Sequence, residues 1–159
     1  LLSGLVVVRA ILFRASLVVG AVRGYRRLAG DPSFAAADKT LKDNDKSLAC
    51  LIESAGRKIL LCSDIETLAQ REIMASHEGL HPDVVVAPHH GSLRTLDERF
   101  LPWLAPRVVL CSCGRRDCEQ GRVIQSAGGG ELRITAKDGA VSVCIDRAGM
   151  VENVWLETH

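Results

Sequence analysis

The sequence predicts a mixed α/β domain in which a sheet, partly made of strand hairpins, is covered by helices. Three stretches carry that expectation. Asp83-Val84-Val85-Val86-Ala87-Pro88 sets three consecutive β-branched valines before a proline. It reads as a buried strand that Pro88 ends, because proline disfavours helix for the residue before it and has no amide for the ladder. Arg57-Lys58-Ile59-Leu60-Leu61-Cys62-Ser63-Asp64 is a second apolar run, and it stops on an acid. Between them, Ile65 to Ser76 carries Ile65, Leu68, Ala69, Ile73 and Met74 at helical spacing, with Glu66, Gln70, Arg71 and Glu72 expected to face outward. Neighbouring strands of this kind would deliver Asp64 and the His89-His90 pair to one sheet edge, where chemistry gathers in α/β folds.

The remaining elements follow in order. Residues 1 to 12 are apolar on most sides, and periodicity does not choose between helix and strand. Leu17 to Val22 has the β-branched density of a strand, and Arg23 to Leu28 reads as a basic helical turn ended by Gly30-Asp31-Pro32. Ser33 to Asp43 is small and polar, hence loop. Leu48 to Glu53 and Lys58 to Cys62 form an antiparallel pair around the turn Ser54-Ala55-Gly56-Arg57. Leu93 to Leu104 is expected as a second helix, Arg107 to Cys111 as a short buried strand, and Gly114 to Gly130 as loop. Glu131 to Thr135 and Ala140 to Ile145 flank Lys137-Asp138-Gly139, whose Asp-Gly pair suits a tight hairpin, and Gly149 to Leu156 closes an edge.

Length and composition bound the answer without naming it. The 159 residues make one domain with enough chain for a real core. A net charge of +1 gives no polybasic signal for nucleic acid or membrane, and an aromatic content of 4% provides no evident stacking platform for single strands. The six cysteines would permit three disulfides, but four lie in or beside apolar runs where cysteine serves as a small buried hydrophobe. Reduced, structural thiols are expected, which points weakly to a cytoplasmic setting. The apolar opening from Leu1 to Val19 raises a membrane span, against which stand Arg9 and Arg14, each costing about 2.5 to 3.5 kcal/mol near a bilayer centre. Opening without Met or a clear signal-peptide cleavage site, the chain reads as the tail of something longer.

Asp64, at a strand end before a helix, has a plain reading as a helix cap and a functional one as a metal-ligand carboxylate. The motif His89-His90-Gly91-Ser92 leans to function, because packing rarely demands two adjacent imidazoles at a strand end. Neutral imidazole is the commonest zinc ligand, and Gly91 permits a sharp turn or close approach. Ser92 is a possible cap for the helix expected from Leu93. His77-Glu78-Gly79-Leu80-His81 satisfies HExxH, yet Gly79 and Pro82 oppose the single helix turn that motif needs. Cys111, Cys113 and Cys118 lack a fourth ligand at finger-like spacing, and Arg115, Arg116 and Arg122 are interleaved with Asp117 and Glu119 as in a solvated loop.

Taken together, Asn44-Asp45-Lys46-Ser47-Leu48, then Lys58 to Glu66, then Pro88-His89-His90-Gly91-Ser92, then Pro106-Arg107-Val108-Val109 to Gly114 resemble, in order and spacing, the metallo-β-lactamase-fold domain of the ComEC competence family over residues 40 to 145. The resemblance implies an α+β, four-layer αββα fold, here incomplete at its N-terminus, with a divalent-metal hydrolase site at one edge of two sheets. It implies Asp64 as a metal-bridging carboxylate, one of His89 or His90 as a metal ligand with the other close by, and Asn44, Asp45, Ser47 and Ser92 near the site. The ion would be zinc or manganese, which acidifies a bound water and stabilises a phosphoryl oxygen. The partners implied are DNA, a missing N-terminal half and a membrane channel domain, with membrane association in a full ComEC-like protein and a cytoplasmic location for a free-standing chain.

The departures set the expected activity. The HxHxDH motif is absent from these residues, Ser63 stands where glycine usually precedes the bridging Asp, and Cys111 to Gly121 lacks the asparagine and His-Pro of many relatives. Zinc sites normally need three or four protein ligands, so the chain alone is expected to bind metal weakly and to be inactive. It reads as the C-terminal part of a nuclease-like phosphodiester hydrolase; the alternative is a degenerate, non-catalytic domain of that fold kept for binding or assembly.

Overall fold

A computed structural model describes residues 6–11, 14–19, 24–29, 44, 47–54, 56–145 and 150–154. Among the described residues, ten strands fall into two sheets. The larger, in the order β3-β4-β5-β6-β7-β8, comprises β3 (Gly24–Ala29), β4 (Ala49–Ser54), β5 (Arg57–Leu61), β6 (Val84–Val86), β7 (Val108–Cys111) and β8 (Glu131–Ile134). The smaller, in the order β10-β9-β1-β2, comprises β1 (Val6–Ile11), β2 (Arg14–Val19), β9 (Val141–Ile145) and β10 (Met150–Val154) and is antiparallel throughout. Four helices are described: α1 (Thr67–Ser76), α2 (Phe100–Leu104), α3 (Arg115–Glu119) and α4 (Thr135–Asp138). No helix among the described residues is long and apolar enough to cross a membrane.

Period-two alternation decides which layer each strand residue serves. Leu60, Val85 and Val109 point to one face of the large sheet, where they pack with Ala69 and Ile73 of α1 and Phe100, Leu101 and Leu104 of α2. Ile59, Val84, Val108 and Leu110 point to the other, against Val141, Val143 and Ile145 of β9. Helices thus cover one face of the large sheet, and the small sheet covers the other. Each such aliphatic side chain contributes about 1.5 to 3 kcal/mol on burial.

The parallel half of the large sheet positions the site. The pairs β5–β6, β6–β7 and β7–β8 are parallel, and the registers Leu61↔Val86 and Val86↔Leu110 bring β5, β6 and β7 to their C-terminal ends almost level. Asp83 anchors the opposite end. Its carboxylate accepts from Arg57 Nη1 (3.0 Å) and the Lys58 amide (2.9 Å), while its carbonyl accepts from the amides of Arg107 and Val108 (both 3.0 Å).

The β4–β5 hairpin, the first long helix and the edge placement of β10 match the sequence-based expectations. Five others are corrected. The helical turn expected over Arg23 to Leu28 is strand from Gly24 onward, because Gly24–Ala29 pairs antiparallel with β4, while Arg23 lies outside the described residues. Leu93 to Leu104 is helical only from Phe100, since the preceding residues are tied down by Asp97 and Gln70. Gln70, expected outside, is fully buried and donates to the carbonyls of Ile65 and Thr95 (both 3.1 Å), whereas Leu68 is 46% exposed. A short helix, α3, interrupts the loop expected from Gly114 to Gly130. The expected hairpin at Lys137-Asp138-Gly139 does not form: β8 pairs with β7 in the large sheet, β9 belongs to the small one, and α4 joins them.

Candidate functional site

Three loops leave the level strand ends side by side. The one after β5 carries Ser63 and Asp64, the one after β6 carries His89 and His90 in a 3₁₀ segment (Pro88–Gly91), and the one after β7 carries Ser112 and Cys113. Backbone hydrogen bonds stitch them together. The Ser63 carbonyl accepts from the His89 amide (2.9 Å), and the Leu110 carbonyl accepts from the Ala87 amide (2.8 Å).

The stitching holds the backbone in an uncommon shape. Four described residues other than glycine have positive φ, and three are Ser63 (51°), His89 (45°) and His90 (56°). The fourth, Ala105 (46°), ends α2, where left-handed geometry is an ordinary helix stop. Residues held in this region cost about 1 to 3 kcal/mol each and cluster where function over-determines the backbone. Gly91, at φ 75°, is required for space as well. A Cβ there would lie 2.6 Å from the Sγ of buried Cys111, whose thiol donates to the His90 carbonyl (3.2 Å).

The site brings together most of the residues singled out by sequence. His90 Nε2 lies 3.8 Å from Asp64 Oδ1, and both side chains are half-exposed or more. His90 Nδ1 stands 2.9 Å from the Ser112 carbonyl, an acceptor only, so this nitrogen carries the proton in neutral imidazole and Nε2 keeps its lone pair on the Asp64 side. A proton on one nitrogen fixed by a backbone carbonyl, with the other nitrogen presented outward, is the usual state of a metal-binding imidazole. His89 is held differently. Asn44 Nδ2, a donor only, lies 3.4 Å from His89 Nδ1 and 2.9 Å from Glu66 Oε1, so His89 presents Nε2–H.

Asp64 is not a helix cap. Glu66 occupies the cap position of α1, and no side-chain cap hydrogen bond forms there. The Ser47 amide donates to the Asn44 carbonyl (2.9 Å), while Asp45 lies outside the described residues. Ser92 bridges to Val123 and starts no long helix. Glu66 and the Ser112 carbonyl are the site groups that sequence reasoning missed. Glu66, two residues beyond Asp64, offered a spacing signal, whereas no side-chain pattern announces a carbonyl.

As a metal site, the donor chemistry is right and the number is short. Asp64 and His90 supply two donors, and among the described residues no group of three or more His, Cys, Asp or Glu side chains is gathered to hold an ion. Two donors do not hold zinc tightly. The rival motifs do not assemble either. α1 ends at Ser76, leaving His77 and His81 off any common helical turn. Burial pushes the thiols of Cys62, Cys111 and Cys113 up, so they stay protonated.

No protein-family model matches the chain. It is 30% identical over 74 residues to ComE operon protein 3 of Bacillus subtilis (strain 168), covering 46% of this chain and 10% of that protein. It is 28% identical over 120 residues to competence protein ComA of Neisseria gonorrhoeae, covering 70% of this chain and 17% of that protein. The chain spans a small part of both relatives, and these distant, partial similarities support kinship with competence proteins.

Proposed function

We propose that these residues are part of a ComEC-like, metallo-β-lactamase-type domain serving competence, and that the intact site hydrolyses phosphodiester bonds of DNA during uptake. The single observation that carries this is the meeting of Asp64 and His90 Nε2 at 3.8 Å across two strained loops at one end of a parallel sheet. Two stacked sheets with helices on the outer face of the larger one, and the kinship with competence proteins, agree with it. Within the site, His90 is the imidazole on the metal side, because its tautomer is set by the Ser112 carbonyl. His89, held by Asn44, offers an N–H to a phosphoryl oxygen. Asp64 is the carboxylate that faces both the ion and the substrate.

A metal-dependent phosphodiesterase assay tests the reading. The 159-residue chain, given thymidine p-nitrophenyl phosphate with Mn²⁺ or Zn²⁺, releases no product. A chain carrying an HxHxDH segment ahead of the same residues releases it, and Asp64→Ala abolishes the release. Turnover that survives Asp64→Ala would assign the chemistry elsewhere. Absence of turnover in the longer chain would favour the second reading, a non-catalytic binding or assembly domain, to which Ser63 at a glycine-favouring backbone position also inclines.

A further inference from the structure

Two cavities flank the turn that carries the histidines. One, of about 610 Å³, reaches from His90 to Ser112, Asp117 and Arg122; the other, of about 370 Å³, reaches along Glu66, Thr67 and Leu68 at the start of α1. His89, Ser92 and Arg94 line both. Each volume alone would suit a small ligand. What distinguishes the pair is the shared wall, across which an extended chain can lie with one segment in each cavity.

The cationic groups on this path are Arg94 and Arg122. Their position is fixed by backbone rather than by chance on the surface: the Leu93 amide donates to the Arg122 carbonyl (2.9 Å), Ser92 bridges to Val123, and the Ile124 amide donates to the Gly91 carbonyl (2.9 Å). The guanidinium of Arg94 is exposed and has no carboxylate partner among the described residues. Arg122 pairs with Asp117 at 3.4 Å, both side chains more than half exposed, an ion pair weak enough to be exchanged for phosphate at little cost. The acids on the two walls are Asp117, which would share Arg122 with a bound phosphate, and Glu66, which accepts from Asn44. Leu68, 46% exposed beside the second cavity, offers apolar surface for a base.

We infer that the two cavities form one trough for a single-stranded phosphodiester chain, in which Arg94 at the shared wall and Arg122 on the flank bind successive backbone phosphates and lead the strand past His89 and His90. This rests on the proposed function for its substrate class, but not on a bound metal.

The test is binding of a fluorescent oligothymidylate of about ten nucleotides to the 159-residue chain by anisotropy, in EDTA, over a range of salt. Arg94→Ala and Arg122→Ala are each expected to weaken binding about tenfold, the loss of one charge-assisted contact. Each should also flatten the log–log salt dependence by roughly 0.7. Arg94→Lys keeps the salt slope. Arg107→Ala, an exposed arginine at the opposite end of β7, leaves binding unchanged. The inference is overturned if the parent chain does not bind, if Arg94→Ala and Arg122→Ala bind as well as the parent, or if Arg107→Ala weakens binding as much as they do. Circular dichroism of each variant separates loss of the contact from loss of the fold. Normal oligonucleotide binding with failure of the phosphodiesterase assay would discard the hydrolase reading and keep the trough; the converse would do the opposite.

Discussion

Ser63 shows how a single position links backbone strain to function. With φ at 51° it occupies a region that costs an L-residue about 1 to 2 kcal/mol and costs glycine little. Its carbonyl nevertheless takes the His89 amide at 2.9 Å, so the strained conformation is what ties the Asp64 loop to the histidine loop. Ser63→Gly should accordingly stabilise the protein by about 1 kcal/mol, read as a higher midpoint in urea with unchanged slope. A lower midpoint would mean that the serine side chain contributes something the geometry does not reveal. The sequence marked this position, because serine stands where glycine is usual in the resembled family, but the sign of φ that explains the glycine was visible only in the fold.

At the scale of elements, the residues between β6 and α2 are organised by Asp97 and Gln70 instead of by helix periodicity. Asp97 is buried, accepts from Arg99 (3.0 Å) and Arg71 (2.7 Å), and its amide donates to Gln70 Oε1 (2.7 Å). The Arg99 guanidinium first, and Arg71 second, hold its carboxyl well below the usual carboxylate range. A carboxyl so depressed stabilises the fold at every pH above its unfolded value of about 3.9, and the contribution is lost as pH falls below that toward the folded value. Asp97→Asn should cost about 1 to 3 kcal/mol at neutral pH and reduce the fall in stability below about pH 4; thermal melts across pH 2 to 7 read both. An unchanged acid limb would assign the acid sensitivity to other carboxylates. This network also explains why sequence reading failed locally. Gln70 and Leu68 exchange their expected faces because the amide of Gln70 satisfies buried backbone groups that no apolar side chain could satisfy. The strand Gly24–Ala29 and the missing hairpin at Lys137 to Gly139 escape local patterns for a related reason, since pairing with β4 in one case and the split between two sheets in the other are long-range facts that local propensity does not carry.

Over the whole molecule, the parallel strands β5, β6 and β7 were legible because runs such as Val84-Val85-Val86 have few alternatives, and their common direction made the meeting of Asp64 with the histidines predictable. The division of labour between His89 and His90 was not legible: it depends on the Ser112 carbonyl and on Asn44, contributed by segments 22 and 45 residues distant in sequence. The whole account depends on Asp64 and His90 Nε2 facing one cation position. Zinc titration of the 159-residue chain, followed through the imidazole nitrogen signals of His89 and His90, tests this most directly. The account predicts weak, saturable binding that moves the Nε2 signal of His90, is abolished by Asp64→Ala and by His90→Ala, and survives His89→Ala. Tight stoichiometric binding that persists in Asp64→Ala, or a response confined to His89, would contradict it.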